Sequence, residues 1–160
     1  MELLYKKILV PVDGSKNSLL AVVHAGSIAR SFDAEISIFY VSPLSQQVPL
    51  YDQVKGIKIP AHSSTDPVSF AKIMIAEVLK HIPEGLRVKT YNEIGEPRIV
   101  ITEFAQKKQY DMIVIGSRGL GTLSGLLMGS VSSYVVHHSK CPVLVVKQEQ
   151  LLKATAKSEE

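Results

Sequence analysis

Four short runs of aliphatic and β-branched residues, at 8–12, 36–41, 112–115 and 143–146, are separated by stretches whose apolar residues recur every three and four positions. This alternation constrains the fold more than any other feature of the chain. Runs almost free of polar interruption mark strands covered on both faces. A fifth run, 86–91, alternates instead, with Leu86 and Val88 on one side and Arg87 and Lys89 on the other, and reads as an edge strand. The helical stretches carry Leu19, Val22, Val23, Gly26 and Ala29; then Phe70, Ala71, Met74, Ile75, Val78, Leu79 and Ile82; then Val100, Ile101, Phe104 and Ala105; then Val131, Tyr134, Val135 and His138. Ser15 is placed as N-cap of the first helix, Pro67 and Pro97 open the second and third, and Ser130 starts the fourth. The predicted order is β-α-β-α-β-α-β-α-β. Right-handed crossovers then make an α/β fold, a single-domain open five-stranded parallel sheet with helices on both faces, Rossmann-like in kind.

A chain of 160 residues fits one such domain and one core. Its 18 Lys and Arg against 15 Asp and Glu leave a net charge of +3, spread without a basic run, which argues against a nucleic-acid surface. Cys141 is the single cysteine, so no intrachain disulfide can form, and the N-terminus lacks the pattern of a signal peptide. No apolar stretch approaches the ~20 residues of a membrane span. A cytoplasmic protein is the expectation.

The chemistry is concentrated near the fourth strand. Gly116, Ser117, Arg118 and Gly119 are followed by nine residues and then Gly129 and Ser130, at a strand-to-helix junction. Glycines there let backbone N–H groups approach a ligand, and the helix N-terminus adds unpaired donors and partial positive charge, so the loop reads as a phosphate site. It is not the triphosphatase loop, because no Lys followed by Ser or Thr comes after a glycine at the required distance. Gly119, Gly121 and Gly125 miss the dinucleotide fingerprint by one residue, and no suitably spaced acidic residue follows.

The spacing Gly, two residues, Gly, nine residues, Gly, Ser resembles that of the ATP-binding branch of the universal stress protein family. Residues 7–15 (KILVPVDGS) are similar to the family's first strand and acidic turn, 39–41 to the end of its second strand, and 142–147 (PVLVVK) to its last. The likeness covers about residues 5–147. It implies a nucleotide-binding domain over residues 1–147 with a tail at 148–160, and the strand order 3-2-1-4-5. The site it implies draws on Pro11, Val12, Asp13, Ser15, Val41, Ile115, Gly116, Arg118, Gly119, Gly129, Ser130, Val131 and Ser132. The ligand implied is ATP, with Mg2+ held mainly through its phosphates rather than in a cage of side chains. The resemblance also implies a regulatory or signalling homodimer paired through the last strand at Val143 and Val145, since so apolar a terminal strand needs its edge covered.

Each residue also has a plainer reading. Asp13 stands at the sheet's C-terminal edge, where it either touches the nucleotide or forms an Asx turn. Val41 either offers backbone groups to adenine or packs in the core. The glycines and Ser130 could make only a capped turn, Arg118 either pairs with a phosphate or faces solvent, and the C-terminal tail could cover the last strand instead of a second copy. The five histidines read as structural or solvated, and Cys141 as a small buried apolar residue. Residues 42–66, rich in proline and polar residues, read as a flap near the site or an inert insertion. No nucleophile or general base is legible. A slow ATP hydrolase or nucleotidyl-transfer enzyme, or a partner-binding module without nucleotide, therefore stays open beside the regulatory reading.

Overall fold

A computed structural model of the chain describes residues 5–43, 67–119 and 128–147. In order these form β1 (Lys7–Val12), α1 (Lys16–Phe32), β2 (Glu35–Pro43), α2 (Pro67–Leu79), β3 (Arg87–Gly95), α3 (Pro97–Lys107), β4 (Met112–Gly116), α4 (Ser130–His138) and β5 (Val143–Val146). The strands make one parallel sheet, as the sequence pattern predicts, in the order β3-β2-β1-β4-β5 that the resemblance implies. The flap at 42–66, apart from Ser42 and Pro43, and the tail lie outside the described residues, as do Gly121 and Gly125.

The period of two along the strands divides the interior into two cores. On one face Ile8, Val10, Ile36, Ile38, Tyr40 and Val114 pack beneath Ala21, Val22, Ala25 and Ala29 of α1 and Ala71, Met74 and Val78 of α2. On the other, Leu9, Phe39, Val41, Ile113 and Ile115 pack beneath Ile101, Phe104 and Ala105 of α3 and Val135 of α4. The rings of Phe39 and Phe104 stack there with centroids 4.3 Å apart. Both faces are thus covered by helices, as a parallel sheet requires.

Several side chains depart from the sequence pattern. In α1 the buried stripe is set by Ala21 and Ala25, whose small size brings the helix close to the sheet, and Val23 is left 42 % exposed. Leu79 likewise ends α2 facing outward. β3 runs four residues past its alternating stretch, because Asn92, Glu93 and Ile94 gain main-chain partners on β2 although their side chains are exposed. β5 is not covered on both faces by the described residues, since Leu144 is 36 % exposed at the sheet's edge. Cys141 is half-buried rather than buried, in the turn before β5, its Sγ 3.4 Å from the Ser139 hydroxyl.

Candidate nucleotide site at the β1–β4 switch point

The strand order reverses between β1 and β4, and the crevice of such a sheet opens where those strands end. Pro11 helps to open it. The Lys7 carbonyl faces β4, where it accepts the Asp111 N–H at 2.9 Å, and alternation turns Leu9 and Pro11 the same way. The next rung toward β4 would need an N–H that proline lacks. The β1–β4 register accordingly ends at Leu9↔Ile113, whereas β1 and β2 stay paired to Val12↔Tyr40. On the β2 side the Glu35 N–H donates to the Lys6 carbonyl, so alternation turns Phe39 and Val41 toward β1. The Val41 carbonyl therefore points to that side just beyond the last registered pair, while its side chain packs in the second core. Val12 and Ile115, each 5 % exposed, supply apolar walls below the strand tips.

Beyond Val12 the chain turns sharply. Gly14 takes φ +82°, a left-handed conformation that favours glycine. Asp13 Oδ1 accepts the Ser15 N–H at 2.9 Å, so the Asx turn of the plainer reading is present, and its second oxygen, Oδ2, is aimed at Gly119. Ser15 is the N-cap of α1, as the sequence places it, its Oγ accepting the Ser18 N–H at 3.2 Å. Ser18 Oγ in turn donates to the Ser15 carbonyl at 2.9 Å.

The loop after β4 is clamped at its base. Ser117 donates its N–H to the Val146 carbonyl and accepts the Gly129 N–H and the Ser132 hydroxyl, each at 2.8 Å. Residues 117 and 129 are thereby held together and the intervening segment leaves and re-enters at one point. The Ser132 hydroxyl, a donor for ligand in the sequence reading, is committed to this clamp, to the Ser117 carbonyl or to that of Gly129 at 3.1 Å. Helix α4 begins with Gly129 as N-cap and no side-chain cap bond, and Ser130 is exposed and Val131 half-buried at its first turn. That helix end has no capping side chain competing for an anion.

The two glycines of β4 and its loop do different work. A Cβ on Gly116 would lie 2.7 Å from the main-chain carbon of Asn17 and 2.9 Å from its carbonyl oxygen, so this glycine lets the first turn of α1 rest on the tip of β4. A Cβ on Gly119 would instead fall onto the Asp13 carboxylate, on the crevice side. Arg118 is half-buried, and its carbonyl accepts from Ser15 Oγ at 3.4 Å and Asn17 Nδ2 at 3.3 Å. Asn17 was not singled out in the sequence, where nothing distinguishes it from a solvent-facing helix residue.

Among the described residues no cluster of three His, Cys, Asp or Glu side chains could hold a metal ion, and no helix is long and apolar enough to cross a membrane. His137 and His138 bond the carbonyls one turn back, at 2.7 and 2.9 Å, on an exposed face.

Comparison with known proteins agrees with this fold. The universal stress protein family profile matches residues 4–147. A universal stress protein of Methanocaldococcus jannaschii is 40 % identical over 153 residues, covering 92 % of this chain and 85 % of the relative. One of Bacillus subtilis is 33 % identical over 150 residues, covering 90 % and 100 %. Among solved structures, the universal stress protein UspA of Lactobacillus plantarum superposes with a TM-score of 0.65 at 27 % identity, over 91 % of this chain and 99 % of that one. A universal stress protein in complex with cAMP superposes with a TM-score of 0.63 at 28 % identity, over 89 % and 97 %. With the profile spanning nearly the whole chain, a relative at 40 % identity and the 3-2-1-4-5 sheet, this protein belongs to the universal stress protein family.

Proposed function

We propose that the protein binds ATP in the β1–β4 crevice and works as a cytoplasmic regulatory homodimer whose nucleotide state alters a surface read by another protein. The observation that carries this reading is the pairing of Gly119 with the Asp13 carboxylate across a crevice where Pro11 ends the strand ladder. A side chain at Gly119 would fill that space. The complex of a 28 % identical relative with cAMP supports an adenine nucleotide as guest. In this reading the amides of Arg118 and Gly119 and the uncapped first turn of α4 at Ser130 and Val131 hold phosphates, with the Arg118 side chain as a charge partner. Asp13 and the Val41 carbonyl hold the base or sugar side. Mg2+ would ride on the phosphates and compensate their charge, with the Asp13 carboxylate beside the loop.

Isothermal titration of purified protein with ATP, AMP and cAMP, each with and without magnesium, tests the reading. Saturable binding of one nucleotide per chain is expected, and no heat at millimolar ligand would refute it. The dimer is tested separately. Leu144 is 36 % exposed on β5, the edge strand among the described residues, so Leu144→Lys can keep its ammonium in water in the protomer but would bury a charge in a β5–β5 contact. Light scattering should show the dimer replaced by monomer, and a variant of unchanged mass would move the interface away from β5.

A further inference from the structure

We infer that Asn17 is a positioning residue of this site, holding the Arg118–Gly119 peptide so that its N–H is presented to a phosphate. The inference rests on the nucleotide reading above. Asn17 occupies the second position of α1 and is 8 % exposed. Its Nδ2 donates to the Arg118 carbonyl, while its Oδ1 is buried without a hydrogen-bond partner. A buried acceptor left unpaired costs the fold, so stability alone does not account for an amide there. Such residues collect at functional sites.

Its effect on the loop follows from peptide geometry. A trans peptide points its carbonyl and its N–H in opposite directions. The Arg118 carbonyl is held toward α1 by Asn17 Nδ2 and Ser15 Oγ, so the Gly119 N–H is turned away from that helix. Ser15 Oγ accepts the Ser18 N–H as N-cap and gives its one proton to the same carbonyl at 3.4 Å, so Asn17 at 3.3 Å is one of two donors that together fix the peptide. Without it the peptide can rotate, and the amide must be re-ordered each time an anion binds. Because the Asn17 main chain also fills the space beside Gly116, the same residue ties the base of the loop to the helix.

Two variants test this. Asn17→Ala removes the amide, and Asn17→Leu replaces it with an apolar side chain of similar shape, removing the unpaired acceptor as well. Both should weaken MgATP binding about five- to tenfold, the size of one lost neutral hydrogen bond. In the ligand-free state the Gly119 amide resonance should move while the melting temperature of Asn17→Leu stays at or above that of the wild type. Wild-type affinity in both variants with the Gly119 resonance in place would overturn the inference, as would an affinity loss accompanied by a lower melting temperature and shifts throughout α1. A wild-type protein that binds no nucleotide would overturn the nucleotide reading, and this role with it.

Discussion

Gly119→Val should abolish nucleotide binding and leave the fold intact. A Cβ at this position falls onto Asp13 Oδ2, and the two further methyl groups of valine extend into the same space. The carboxylate is the end of a side chain and can swing aside, so the protomer survives, but only by giving up the position set by its bond from the Ser15 N–H. Gly119 is itself exposed and packs no core. The ligand therefore meets both a displaced aspartate and a branched side chain where a backbone approach was open. A loss of at least about hundredfold in affinity, close to 3 kcal/mol, is expected from titration calorimetry. The melting temperature should stay within about 2 °C, in line with the small effects of most surface substitutions. Wild-type affinity in this variant would remove Gly119 from the site.

The opposite result is expected three residues earlier. Gly116→Ala adds one carbon atom 2.7 Å from the main-chain carbon of Asn17, and the helix backbone cannot rotate out of the way as a side chain can. Relief requires α1 to lift from the tip of β4, disturbing the core that Ala21, Val22 and Ala25 make on the sheet. Overpacking of this kind costs about 3 kcal/mol. In a domain of this size that lowers the melting temperature by about 6–12 °C. Denaturant unfolding should give the loss with no nucleotide present, which separates a packing glycine from a ligand glycine. A cost below about 1 kcal/mol would mean that the helix backs off freely, and that Gly116 is not what sets its approach.

These two glycines mark the limit of what the sequence makes legible. Strand and helix periods are local, and they suffice for the nine elements of the described residues, for Ser15 as a cap and for Asp13 at the sheet edge. Which glycine packs and which faces the crevice depends on residues about a hundred positions away, Asn17 for Gly116 and Asp13 for Gly119. No window of sequence contains both partners. Asn17 escapes for the same reason, since its partner is the Arg118 carbonyl, a main-chain group with no sequence signature. Pro11 is visible as an oddity within a strand, but its consequence appears only once alternation turns its missing donor toward β4 rather than β2. The polar end of β3 is hidden because main-chain pairing with β2, not side-chain burial, holds it. The Ser132 hydroxyl shows the converse case, a donor legible at the helix start whose bond to the Ser117 carbonyl, fifteen residues back, has no sequence signature.

Central to the proposed function is that main-chain amides around the β1–β4 crevice receive an anionic nucleotide. Titrating 15N-labelled protein with MgATP and following its amide resonances tests this residue by residue. Shifts should concentrate at Asp13, Gly14, Val41, Gly116, Ser117, Arg118, Gly119 and the first turn of α4 from Gly129 to Ser132, with the far end of the sheet unmoved. Saturable shifts confined elsewhere, such as the shallow cleft of Gln106, Tyr110 and Cys141 below α3, or no shifts at millimolar ligand, would contradict it.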